Sequence, residues 1–318
     1  MAEARGFPPA TGKDVPVVWL HDPDDSRHYW ERDWLRFLLS GLPVTHHVAV
    51  DPRSEPLADA LVIVGGNDIA LPEVRAYIDS YRRAECRHGL IHLSDEYLRH
   101  DISSYEHAAV VFRAYYRQTA PHGTFGLGYK QGFWDGHAGP PPAELTVSDR
   151  PLVWSFAGEI EKSDRPRMLR AFRRIKDHHV HPTSYWNSPD YLSTAAYRDL
   201  MLKTVFVPSP RGNYSLDCFR TYEALEAGCV PIVLRQTAAQ PFDYYAAVFG
   251  AMGFPERVPF PQVDDWKDAG RLTARLRDDV AALERLRLDC YAWWTRYKEH
   301  TKAQFTERAH RAFGFGRS

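Results

Sequence analysis

The chain has 318 residues, of which 44% are hydrophobic and 25% charged, enough apolar material for two globular domains and too much for a disordered chain. Its 40 basic and 41 acidic residues leave a formal net charge of -1, which excludes a global attraction to nucleic acid or to an anionic membrane, so any anion must be bound locally. Cys86, Cys218, Cys229 and Cys290 show no CxxC pair or disulfide-framework spacing and read as free thiols, and residues 1–14 hold neither an apolar h-region nor an anchor-length apolar run, so a cytoplasmic protein with no integral membrane segment is expected.

Short apolar runs at 15–20, 44–50, 60–64, 90–93 and 108–112, several rich in Val and Ile, predict buried strands. Between them, 29–39 and 72–87 read as helices, the second with Pro72 just inside its start. Such alternation implies a parallel sheet covered on both faces. The stretch 136–142 contains three consecutive prolines and can continue neither kind of element; it divides the chain into expected domains 1–140 and 141–318. The second half restarts with a strand at 152–156, a helix at 165–176, a polar loop, and a strand at 205–207. A helix at 218–227 and a strand at 230–234 follow. From 269 to 313 the period is helical, with Trp293, Trp294, Tyr297 and Phe305 on a broad apolar face expected to pack across the domains.

The densest signal is 203–234, KTVFVPSPRGNYSLDCFRTYEALEAGCVPIVL, which reads as strand, loop, helix, turn and strand. Its loop, 209–217, is polar and contains Pro210, Arg211 and Gly212. A helix start reached by such a loop presents unpaired backbone N–H groups and a positive dipole end, a setting for a phosphate or diphosphate. Arg211 and Arg220 can add charge-assisted hydrogen bonds to the same anion. On the helix itself, the carboxylate of Glu223 can accept from both cis hydroxyls of a ribose, and Gly228 supplies the C-terminal stop before the next strand.

This segment is similar to the nucleotide-sugar-binding signature of the exostosin-like glycosyltransferases, in which serine, arginine and glutamate precede an alanine-glycine turn and a valine-proline strand. The resemblance implies a GT-B fold, two Rossmann-like domains with parallel sheets facing a cleft. It also implies Glu223 as the ribose ligand, Arg220 and Arg211 as diphosphate ligands, and Ser215 and Asp217, with Gly212, as part of the loop around phosphates or sugar. VWSFAG at 153–158, followed by Glu159, Lys162 and Arg165, resembles the first strand and phosphate-side loop of the donor domain, which adds Gly158, Lys162 and Arg165. IHLSDEYLRHDISSYEHAAVVFRAYY at 91–116 resembles the acceptor domain of the same family. A UDP-sugar as donor follows from the resemblance alone.

An inverting transferase needs a general base on the acceptor hydroxyl. Asp95 and Glu96 follow a predicted strand at its carboxyl end, where ligands of parallel sheets gather, and are the leading candidates. His21 and Asp22 after the first strand, and Asn67 and Asp68 after the third, compete with them. Arg113 and Tyr115 after the fifth are expected to bind acceptor or donor phosphate. His178, His179 and His181, beside Asp177, lack the i, i+4 face of a helical zinc motif. Asp22-Pro-Asp24 has the DxD form of a metal-dependent transferase but lies beside the first strand. No metal or other cofactor is expected. The sequence thus predicts a metal-independent, inverting glycosyltransferase that moves a sugar to a glycan, glycolipid or small-molecule acceptor. The alternatives are a nucleotide-sugar epimerase or hydrolase on the same fold and a catalytically silent nucleotide-sugar-binding subunit.

Overall fold

The computed structural model describes residues 14–25, 28–48, 56, 58–66, 68–121, 123–185 and 188–314. The chain divides into two compact units, Met1–Phe125 with His300–Ser318, and Gly126–Glu299. The division therefore falls before the proline-rich stretch instead of within it, and the end of the C-terminal helix returns to the first unit. Pro142 explains the displacement: its carbonyl accepts from the buried Arg287 guanidinium at 3.1 Å, so 136–142 is fastened into the second unit instead of linking the two.

The first unit contains β1 (Val15–Trp19), α1 (Arg32–Leu39), β2 (Val44–Val48), β3 (Ala60–Val64), α2 (Pro72–Arg83), β4 (His88–His92) and β5 (Val110–Arg113). All strand pairs are parallel, in the order β2-β1-β3-β4-β5. Every residue of β3 and β4 is buried, as a parallel sheet covered on both faces requires. The edge strand β2 alternates half-buried and exposed residues, because only one of its sides has a neighbour. Phe305 stacks on Phe112 at 3.9 Å, and Arg87 donates to the carbonyls of Ala312 and Phe313 at 3.0 and 2.9 Å, a cationic cap on the last helical turn.

The second unit contains β6 (Leu152–Gly158), α3 (Arg165–Phe172), β7 (His178–Pro182), α4 (Thr194–Leu202), β8 (Thr204–Pro208), α5 (Phe219–Glu226), β9 (Val230–Leu234), α6 (Tyr244–Gly250), β10 (Gln262–Val263) and α7 (Trp266–Leu276). The long α8 (Val280–Phe313) follows. Its sheet is parallel, in the order β10-β9-β8-β6-β7. The apolar face expected of the C-terminal segment is present, with Trp293, Trp294 and Tyr297 all buried and edge-to-face contacts from Phe249 to Trp293 and Tyr297 at 4.6 Å each.

In both units the first strand lies between the second and the third, so strand order is 2-1-3-4-5 twice over. Two Rossmann-like domains, the pair that makes up the expected GT-B fold, are present. In such a sheet the switch point lies between the first and third strands, and ligands bind outside their carboxyl ends. That rule selects two positions: the loops after β6 and β8, and the loops after β1 and β3.

Candidate functional site

β6 ends at Gly158 and the loop after β8 begins at Ser209, so the switch point of the second unit carries both segments that the sequence singled out. Ser163 ties them together, its hydroxyl donating to the carbonyls of Arg211 and Gly212 at 3.2 and 3.0 Å. The second loop is fixed from behind by α6: Ser215 donates to the Tyr244 hydroxyl at 2.9 Å, and the Tyr245 hydroxyl donates to the Leu216 carbonyl at 2.9 Å. Asp217 accepts from the Tyr222 hydroxyl at 2.5 Å. Ser215 and Asp217 are both buried within the loop, and their hydrogen bonds to Tyr244 and Tyr222 help to fix its course.

Two guanidiniums converge on this framework. Arg165 begins α3, Arg220 sits in the first turn of α5, and their Cζ atoms lie 5.9 and 4.6 Å from the Phe156 ring centroid. Gly158 makes room for them. Its φ is +140°, and a Cβ there would come within 3.3 Å of Arg220 Nη2 and 3.7 Å of Arg165 Nη1, which explains why the β6 strand ends on glycine. Arg220 donates to the Tyr197 hydroxyl and the Ala157 carbonyl at 3.1 Å each, and Arg165 to the Glu159 carbonyl at 2.9 Å. Among the described residues neither forms a salt bridge, and the Arg165 Nε is buried without a hydrogen-bond partner. Burial, followed by repulsion from Arg220, pushes the Arg165 guanidinium down to about 10. A pair of cations held together against their own repulsion is an anion-binding arrangement.

The start of α5 adds to it, since its N-cap residue Cys218 makes no side-chain cap and leaves first-turn N–H groups uncapped by it. Arg211 is half-buried on the loop with its Nε 3.8 Å from Asp164 Oδ1. Asp164 is in turn held by the Trp266 indole. Lys162 pairs with Glu159 at 3.5 Å.

One turn beyond Arg220, on the same helix face, Glu223 is only 2% exposed. Burial, opposed by Lys130 and Arg220, raises its carboxyl above the ordinary range. Its hydrogen bond among the described residues is a long one, from the Lys130 backbone N–H at 3.4 Å. Glu226 on the same helix offers the contrast: it takes both indole N–H groups of Trp134 and Trp294 and the Lys298 ammonium at 2.9 Å. Glu226 is a satisfied structural anchor, whereas Glu223 retains acceptor capacity. Gly228, at φ +66°, ends the helix in the left-handed region.

Sequence reasoning missed Lys130, Tyr191 and Tyr197. The Lys130 ammonium lies 4.9 Å from the Tyr191 ring centroid, and both Tyr191 and Tyr197 feel the charges of Glu223 and Arg220. A signal for Lys130 existed in GYKQG at 128–132, whose two glycines both take positive φ, +68° and +75°.

In the first unit the expected base Asp95 is 1% exposed. Its carboxylate accepts from the backbone N–H of Arg99 and His100 at 2.9 and 3.1 Å and from Arg113 at 3.0 Å. Burial pushes its carboxyl up, but the His100 N–H and the Arg113 guanidinium outweigh it and hold the group below its usual value. That is a buried ion pair, not a base facing an acceptor. Arg113 has no exposed surface and also binds the Tyr115 carbonyl at 2.9 Å, so neither it nor the buried Tyr115, at φ +60°, presents itself as a ligand-binding group. His92 completes the cluster between Tyr105 and His100, at 2.5 and 2.9 Å, and burial, then Arg113, hold its imidazole down to about 3. Glu96 is half-buried on the same turn. His21 faces Asp68 across 3.1 Å, Asp22 is exposed and turns its Oδ1 to the Asp24 N–H at 2.8 Å, and Asn67 lies outside the described residues.

Residues 136–269 match the family model of the Exostosin GT47 domain, the range that contains Gly158, Arg165, Arg211, Arg220 and Glu223. Among solved structures the chain is similar to an alpha1,3-fucosyltransferase, at 9% identity over 92% of this chain and 92% of that one with a TM-score of 0.46. It is also similar to HepE from Anabaena in complex with UDP, at 10% identity over 94% of this chain and 100% of that one with a TM-score of 0.49. No curated protein matches the chain. Among the described residues no helix is long and apolar enough to cross a membrane. The match over residues 136–269, less than half of the chain, supports a glycosyltransferase.

Proposed function

We propose that the protein transfers a sugar from a nucleoside-diphosphate sugar, a UDP-sugar by its exostosin-like signature, to a hydroxyl of a glycan, glycolipid or small molecule. The carrying observation is the Arg165–Arg220 pair at Gly158, two adjacent guanidiniums with no salt bridge among the described residues. A diphosphate leaving group is the anion that such a pair fits, and bidentate hydrogen bonds from arginine with the first-turn N–H groups of α5 would stabilise the negative charge that grows as the glycosidic bond breaks. In this reading arginines do for the diphosphate what a divalent ion does in metal-dependent transferases. Glu223 takes the two ribose hydroxyls, and Arg211 leaves Asp164 to close over the phosphates.

Transfer proceeds with inversion, and Glu96 takes the proton of the acceptor hydroxyl. Asp95 is removed from that role by its pairing with Arg113 and holds the turn that carries Glu96. Incubation with UDP-, GDP- and CMP-sugars and a panel of hydroxyl acceptors, followed by chromatography of nucleotide and glycoside, tests the proposal. Acceptor-dependent release of one nucleoside diphosphate supports it. Epimerised or hydrolysed donor at the same rate with and without acceptor would overturn it.

A further inference from the structure

The switch point of the first unit holds a second cluster, which the donor site does not use. His21 follows β1, Asp68 opens the short 3-10 turn after β3, and His28 approaches from the loop between β1 and α1. One ligand atom from each lies within 4.8 Å of the other two. The His21 and His28 rings stack at 3.9 Å. His21 Nε2 and Asp68 Oδ2 are 3.1 Å apart, yet both atoms are buried and neither has a hydrogen-bond partner among the described residues. Two shielded polar atoms that meet without the alignment of a hydrogen bond suit a third body which both can contact.

The backbone around them is tied down. The His21 N–H donates to the Tyr29 hydroxyl at 3.1 Å and the Asp68 N–H to the Gly65 carbonyl at 3.1 Å. A Cβ on Gly65 would lie 2.8 Å from both the His28 carbonyl and the Tyr29 ring, so glycine there is what admits the His28 segment to the end of β3.

We propose that His21, His28 and Asp68 bind one divalent transition-metal ion of the zinc class at the switch point of the first unit. Two imidazoles and one carboxylate form the donor set of such ions, and bonds of about 2.0–2.1 Å set neighbouring tetrahedral ligands roughly 3.3 Å apart, close to the His21–Asp68 separation. The proposal concerns the first unit alone and stands apart from the donor reading, in which arginines hold the phosphates.

The test uses the full chain, stripped with a chelator, dialysed and titrated calorimetrically with zinc chloride. Cobalt chloride in a parallel titration reports low coordination through its visible absorption. His21→Ala, His28→Gln and Asp68→Asn are compared with the double variant His179→Ala/His181→Ala, which removes the exposed histidines of β7. Far-UV circular dichroism reports folding, and His28→Gln, in a half-exposed side chain, keeps the test valid if a neighbour fails to fold. The expected result is one ion per wild-type chain and in the β7 variant, with loss in folded His21, His28 and Asp68 variants. No saturable binding by wild type, retention in those variants, or loss in the β7 variant overturns the proposal.

Discussion

Replacing Glu223 by glutamine separates its proposed role as ribose ligand from its role in the fold. The carboxylate is buried, is held above its usual pKa by that burial against Lys130 and Arg220, and accepts one hydrogen bond, at 3.4 Å. A charged acceptor bonded to two ribose hydroxyls contributes about 1.5–3 kcal/mol per bond. Glutamine keeps a neutral acceptor for one hydroxyl and offers an amide N–H₂ to the other, so the loss is about 3 kcal/mol, roughly a hundredfold in Kd. The free protein should respond in the opposite sense. Because the folded pKa is raised, the folded state holds its proton through a range where the unfolded carboxyl has lost it, so stability falls as pH rises from the ordinary carboxylate pKa through the folded one. The neutral isostere removes that penalty. Calorimetry with UDP and thermal unfolding at pH 8 should show weaker binding together with an unchanged or higher Tm. A Kd within threefold of wild type, or a variant that loses binding only because it unfolds, would refute the reasoning.

Arg165→Leu should likewise weaken donor binding while raising the Tm of the free protein at neutral pH in low salt. Burial and repulsion from Arg220 push its folded pKa below the unfolded one, so the buried cation carries a cost at neutral pH that the neutral leucine removes. Gly158→Ala places a methyl group 3.3 Å from Arg220 Nη2 on a backbone at φ +140° and should cost about 1–3 kcal/mol in urea unfolding, with nucleotide affinity falling in parallel. Glu226→Ala leaves the indoles of Trp134 and Trp294 and the Lys298 ammonium without their carboxylate. Removing one partner of a buried ion pair costs about 3–5 kcal/mol, so this variant should lose stability where Glu223→Gln does not.

Where burial and punctuation coincide, the sequence was a sufficient guide. The segment 203–234 combines two wholly buried strands, β8 and β9, with a helix stopped at Gly228, and local chemistry dictates each of those features. The strand β7 was read as polar loop because HHVHP lies at a sheet edge and is half-buried at most, so it needs no apolar run. α4 and α6 lie in stretches where no helix was read. Prolines announce where an element stops, not which unit a loop is fastened to, and Arg287 holds Pro142 within the second unit. Asp95 and Arg113 show the limit most clearly. Charged residues at strand ends read as ligands, yet 18 positions apart they find each other in the interior, and sequence spacing does not reveal that pairing. Lys130 stands 93 positions from Glu223, and only the fold brings its N–H to that carboxylate.

The most direct test of the central claim is calorimetric titration of the wild-type chain with UDP, GDP and CMP in the presence of a chelator. Saturable, one-to-one binding of a nucleoside diphosphate, with UDP the tightest, is the predicted result. Failure of all three to bind would contradict a donor site built from Arg165, Arg220 and Glu223.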